Sequence, residues 1–129
     1  MPDPLLEAAL QVRERAHAPY SKFHVGAALE DSEGRIYTGC NVENASYGLT
    51  VCAERNAAFK AVSEGARRFR RIAVAADTTP LTPPCGACRQ VLSEICGGDI
   101  EVILVNPRGE TESLRLRDIF PRAFNASFL

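Results

Sequence analysis

No stretch of this chain is long and apolar enough to cross a bilayer as a helix. The start, Met1-Pro2-Asp3, has neither the basic segment nor the apolar core of a secretory leader. An excess of charge of one sign is missing too. Lys and Arg number 15 against 16 Asp and Glu, a formal net charge of −1. Such a balance argues against nucleic acid or an anionic membrane surface as partner. The one basic run, Arg67-Arg68-Phe69-Arg70-Arg71, reads as a solvated loop between a helix and a strand. There is no internal repeat, and only Thr78 to Pro84 is biased in composition, a short Pro/Thr loop. Cysteine occurs five times, an odd count whose spacing does not suit a disulfide framework. These absences predict a cytoplasmic globular protein, and 129 residues leave room for one domain, 1–129.

What is present is a split cluster of thiols. Thr50-Val51-Cys52-Ala53-Glu54-Arg55 and Pro84-Cys85-Gly86-Ala87-Cys88-Arg89 each precede a run of good helix formers. With Thr50 as N-cap the first run predicts a helix over Val51–Ser63, and the second predicts one over Gly86–Ile95 after Pro83-Pro84. Cys85 and Cys88 would then share a helix face, with Cys52 in the first turn of the other helix. Three thiolates can fill three positions of a tetrahedral zinc site, and a fourth left open is the mark of a catalytic zinc. Glu54 stands two residues from one ligand, where it can handle a water's proton without binding the metal. Three thiolates leave negative charge on the ion, and Arg55 is the nearest cation to offset it. Taken alone, Cys85-x-x-Cys88 also suits a redox pair, and a closed structural zinc site would need a fourth protein ligand. Cys40 and Cys96 read as small buried hydrophobes, and His17 and His24 as structural.

The remaining elements predict an α/β fold. Asp3 to Ala16 carries Leu5, Leu6, Ala9 and Leu10 at helical intervals. Phe23 to Glu30 reads as a strand, and Gly26-Ala27-Ala28 leaves room for another backbone or a ligand to come close. Asp31-Ser32-Glu33-Gly34 turns the chain into a hairpin partner over Arg35–Thr38. Ile72–Ala76 and Ile100–Val105 have the apolar pattern of strands covered on both faces, and a short strand follows near Thr111–Leu114. Helices separate several of these strands, which favours a parallel pair and a three-layer α/β/α sandwich around a mixed sheet.

Four blocks in order resemble one family. They are Ser21 to Ala28, Asn41-Val42-Glu43-Asn44-Ala45-Ser46-Tyr47-Gly48, Cys52-Ala53-Glu54-Arg55-Asn56-Ala57, and Pro84 to Gln90; Phe120 to Phe124 adds a matching tail. Together they resemble the small homotetrameric cytidine deaminases, departing at His24, where that family has Pro. The resemblance implies a five-stranded mixed sheet and one Zn2+ per subunit on Cys52, Cys85 and Cys88. It implies hydrolytic deamination of cytidine and deoxycytidine, with zinc-activated water attacking C4 and Glu54 shuttling protons. It also implies that Asn41 and Glu43 hold the ribose, that Phe23 stacks on the pyrimidine, and that the backbone at Ala53 meets the base edge. A turn-rich polar loop explains Asn41 to Ser46 equally well on composition. Tyr47 and Phe124, ordinary core candidates by themselves, are placed by the resemblance at subunit contacts near a neighbour's site. A related deaminase of another small nucleoside is the alternative, and Phe23 with Asn41-Val42-Glu43 argues against it.

Overall fold

A computed structural model describes residues 3–129; Met1 and Pro2, read above as free of a leader, lie outside the described residues. The chain runs α1 (Pro4–Arg13), β1 (Val25–Asp31), β2 (Ile36–Cys40), α2 (Ala53–Ser63), β3 (Phe69–Ala76), α3 (Gly86–Cys96), β4 (Glu101–Val105), β5 (Thr111–Arg115) and α4 (Leu116–Ile119). The five strands form one mixed sheet in the order β2-β1-β3-β4-β5. Of the described strands, β3 and β4 alone pair in parallel, joined by α3 as crossover.

Strand side chains alternate between two apolar layers, as the two-residue period of a strand requires. Ala27, Leu29, Ile72, Val74, Val102 and Leu104 meet Ala57, Ala58 and Ala61 of α2 and Leu92 of α3. Ala28, Ala73, Ala75 and Val105 meet Leu5 and Ala9 of α1 on the other side. That is the expected α/β/α sandwich.

Two glycines set how closely the helices lie. An added Cβ at Gly26 would overlap the Ala9 carbonyl and come within 2.6 Å of the Arg13 amide nitrogen, so α1 rests directly on β1. At Gly39 it would overlap the Ala57 amide nitrogen and reach 2.7 Å from the Ala53 carbonyl, so α2 rests on β2. The close approach read at Gly26 is therefore made by a helix; Gly39, its counterpart, was not singled out in the sequence.

Several boundaries differ from expectation. Helix α2 begins at Ala53 with Cys52, not Thr50, as its N-cap, because Val51 is held in an extended bridge with Val42. Helix α1 stops at Arg13 rather than Ala16, and β1 starts at Val25 rather than Phe23. The basic run is not a free loop. Arg67 caps the end of α2 through the Val62 carbonyl at 2.9 Å. Arg71 lies in β3 and pairs with Asp3 at 2.7 Å and Glu30 at 3.0 Å. Cys40 and Cys96 are half-buried, not fully enclosed.

The β4–β5 turn holds the loop that leads to Cys85. Asn106 is wholly buried, and its amide donates to the Thr78 carbonyl at 3.2 Å while accepting from the Arg108 and Glu110 amides, both at 3.1 Å. Arg108 adds an ion pair to Asp77 at 2.7 Å.

Candidate active site

Three sulfurs meet where α2 and α3 begin. Cys52 is the N-cap of α2, Cys85 the N-cap of α3, and Cys88 lies in the first turn of α3. The ligand atoms all fall within 4.8 Å of one another, and the Cys52 and Cys85 sulfurs are 3.7 Å apart. A tetrahedral ion with Zn–S bonds of about 2.3 Å needs sulfurs about 3.8 Å apart, so this edge fits zinc. Both helices aim their positive ends at the cluster, which favours thiolate over thiol.

The charges agree with that. Hydrogen bonding from Cys88 first, then from Arg55 and Cys85, brings the Cys52 thiol down to about 5. Cys88 is pushed up, by its bond to the Cys52 sulfur and by burial. Arg55 Nη2 donates to the Cys52 sulfur at 3.4 Å, and its Nε is buried with no protein partner among the described residues.

Glu54, the second residue of α2, is only 4% exposed. Burial raises its carboxyl to about 7, with its own backbone N–H pulling down and the Cys52 charge pushing up. A carboxyl near neutrality can both take and give a proton at working pH. Ala53, at the first position of the helix, is fully buried.

A second group surrounds Phe23, which is 41% exposed. Asn41 donates to the Phe23 carbonyl and accepts from the Val25 amide, both at 2.8 Å. Glu43 accepts from the Tyr20 amide at 3.0 Å, the Ser21 amide at 3.1 Å and the Ser21 hydroxyl. Those donors, the Ser21 hydroxyl first, hold its carboxyl below the usual range against desolvation. Asn41 and Glu43 therefore grip the two ends of the loop that presents Phe23. Glu43 also lines a cleft of about 370 Å³ with Tyr20, Ser21, Asn44, Tyr47 and Thr50. Tyr47 is 78% exposed, and Phe124, 56% exposed, stacks on Phe128 at 5.8 Å between ring centres.

Two side chains at the cluster escaped the sequence reading. Asn56 donates to the Cys40 carbonyl at 2.8 Å, and Arg89 donates to the Pro84 carbonyl at 2.8 Å and the Ile119 carbonyl at 2.9 Å. Each stands four residues after an N-cap cysteine, a shared spacing that was visible in the sequence.

An α/β sandwich with an open three-sulfur site and a buried carboxyl beside it defines a zinc-dependent hydrolytic enzyme. Residues 3–104 match the family described as the cytidine and deoxycytidylate deaminase zinc-binding region. The chain belongs to the cytidine deaminase family. It is 52% identical over 122 residues to the cytidine deaminase of Halalkalibacterium halodurans, covering 95% of this chain and 92% of the other. The crystal structure of cytidine deaminase from Burkholderia pseudomallei superposes with a TM-score of 0.90 at 50% identity, covering 93% of this chain and 96% of that one. That from Mycobacterium tuberculosis gives 0.82 at 41% identity, covering 94% of each chain.

Proposed function

We propose that this chain removes the C4 amine of cytidine and deoxycytidine, giving uridine and deoxyuridine, with Cys52, Cys85 and Cys88 holding one zinc ion. The 3.7 Å separation of the Cys52 and Cys85 sulfurs, with Glu54 buried beside them, carries this reading. Zinc, when bound, lowers the pKa of a water in its fourth position and so supplies a nucleophile at neutral pH. Glu54 accepts that water's proton and passes it to N3 of the pyrimidine, which makes C4 electrophilic. The water's oxygen adds to C4, and Glu54 moves the second proton from that oxygen to the amine, which departs as ammonia and leaves the C4 carbonyl. The low-dielectric surroundings that raise Glu54 suit a group that must alternate between acid and base.

Substrate contacts fall to the Phe23 loop. Phe23 offers a face to the base, and the backbone at Ala53 lies beside the carboxyl that works on the ring. Asn41 retains one N–H and one lone pair after its two bonds to the loop, enough to meet a sugar hydroxyl. Glu43 stays ionised, so it can accept from another.

The working unit in this proposal is a homotetramer. Tyr47, Leu49, Phe124, Phe128 and Leu129 are exposed apolar groups that neighbouring copies would cover. Tyr47 and Phe124 are assigned to contacts with neighbouring copies and their sites. The compartment is the cytoplasm, where all five cysteines can stay reduced.

The deciding experiment joins metal analysis to ammonia release from cytidine. Stoichiometric zinc and cytidine-dependent ammonia are expected, with both lost in Cys85→Ala and Cys88→Ala. Zinc without ammonia release would leave a structural metal module; full zinc retention in both variants would remove the three-sulfur assignment. Light scattering giving an active monomer would overturn the assembly.

A further inference from the structure

The two sulfur-bearing N-caps are held in the same way. In α3 the Arg89 amide donates to the Cys85 carbonyl at 2.9 Å, an ordinary helical bond, but its Nε also donates to the Pro84 carbonyl at 2.8 Å. Both peptide carbonyls flanking Cys85 thus end on one residue. In α2 the Asn56 amide donates to the Cys52 carbonyl at 3.1 Å, and its Nδ2 reaches the Val51 carbonyl at 3.5 Å. The arrangement recurs on a second helix with a different side chain.

Each side chain also reaches a third element. Arg89 Nη1 donates to the Ile119 carbonyl at 2.9 Å, and its neighbour Gln90 donates to the Phe124 carbonyl at 3.0 Å. Asn56 Nδ2 donates to the Cys40 carbonyl at the end of β2, at 2.8 Å. Cys85 is exposed, so packing does not locate it. Its backbone, which sets where its sulfur can lie, is held by Arg89.

We propose that Arg89 and Asn56 are positioning residues for the metal: they fix the backbone from which Cys85 and Cys52 present their sulfurs, and through Ile119 and Cys40 they set the separation of the two turns. This rests on the reading that those cysteines bind zinc. Arginine suits the task at position 89 because its planar fork can serve two carbonyls at once, and a charged donor makes the stronger bond. Lysine keeps the charge but lacks the fork. Asn56 does the shorter task, where the carbonyls of Cys40 and Val51 converge on a single amide nitrogen.

The test compares the zinc-loaded parent with Arg89→Met, Arg89→Lys and Asn56→Leu. Zinc affinity is measured by competition with a chromogenic chelator, and site geometry by the thiolate-to-metal absorption of the cobalt-substituted proteins. Zinc affinity is expected to fall about 10–100-fold in Arg89→Met and Asn56→Leu, the usual cost of losing a group behind a ligand, with altered cobalt bands. Turnover of cytidine should fall while KM moves less than about threefold, since no substrate contact is lost. Arg89→Lys should resemble Arg89→Met, and it decides the matter if Arg89→Met does not fold. Parental zinc affinity and cobalt spectrum in a folded Arg89→Lys or Asn56→Leu variant would overturn the proposal. A parent that binds no zinc would instead take down the reading of the cysteines, so the two failures are distinguishable.

Discussion

Arg55 donates to the Cys52 sulfur at 3.4 Å from one turn further along α2. The contact raises the guanidinium pKa and stabilises the thiolate, so the pair is tied by charge as well as by position. With Arg55→Gln, three thiolates on a divalent ion lose their nearest offsetting charge, and the bound water becomes less acidic. Zinc content should stay stoichiometric while turnover falls about 10–100-fold. Metal analysis and steady-state rates on one preparation check this, and an unchanged rate would confine Arg55 to packing.

Glu54→Gln separates catalysis from helix chemistry. As a mere complement to the helix dipole, Glu54 would contribute at most about 1 kcal/mol of stability. As the proton carrier it acts on both the water and N3, and general acid–base catalysis is typically worth about 10²–10⁴-fold. The variant should keep fold, zinc and cytidine binding, and lose deamination by at least about a thousandfold. A zinc-loaded variant within about tenfold of the parent rate would assign the proton to another group.

Gly39 and Gly26 make a matched pair of controls. Alanine at either forces a helix off the sheet against backbone atoms that cannot step aside. Overpacking of this kind costs about 1–3 kcal/mol or more. Gly39→Ala lifts α2 at Ala53, beside Cys52, and should lower zinc affinity along with the melting temperature. Gly26→Ala lifts α1 on the opposite face and should lower melting temperature alone. Equal zinc affinity in the two variants would show that the seat of α2 on β2 does not govern the metal.

Asp3 caps α1 through the Leu5 amide at 3.0 Å and pairs with Arg71. Its carboxyl is held below the ordinary value, first by the bond from Arg71, against partial desolvation. A depressed carboxylate stabilises the fold fully above its unfolded value of about 3.9, and that contribution drains away as pH falls through the folded value. Asparagine can still cap the helix but cannot pair. Asp3→Asn should therefore be less stable at neutral pH and should show a shallower loss of stability below about pH 4. Urea unfolding from pH 3 to 6 reads this, and parallel curves would mean the ion pair is too solvated to matter.

The cluster was legible because its chemistry is local. Cys85 and Cys88 lie within one turn, Glu54 is two residues from Cys52, and apolar runs such as Ile72–Ala76 report burial on both faces. Less legible was what depends on partners far along the chain. Thr50 has the better side chain for an N-cap, yet the bridge from Val42 keeps Val51 extended and gives the position to Cys52. Nothing local to Arg67–Arg71 shows that Glu30 is the cross-strand partner of Arg71, or that Asp3 at the start of α1 reaches it. Asn41 and Glu43 alternate on one side of an extended segment, as their spacing suggests, but that they clamp Tyr20 to Val25 emerges only once the two segments are docked.

The cysteine turns stand 33 residues apart, and the whole of β3, the middle strand of the sheet, lies between them. An ion gripping both turns therefore closes a ring of which that strand is a part. While the ring is shut, β3 can leave the sheet only by dragging a covalently continuous, metal-tied loop with it. The ion is a buckle as well as a reagent, and the slowest backbone amide exchange in the protein should follow the concentration of free zinc.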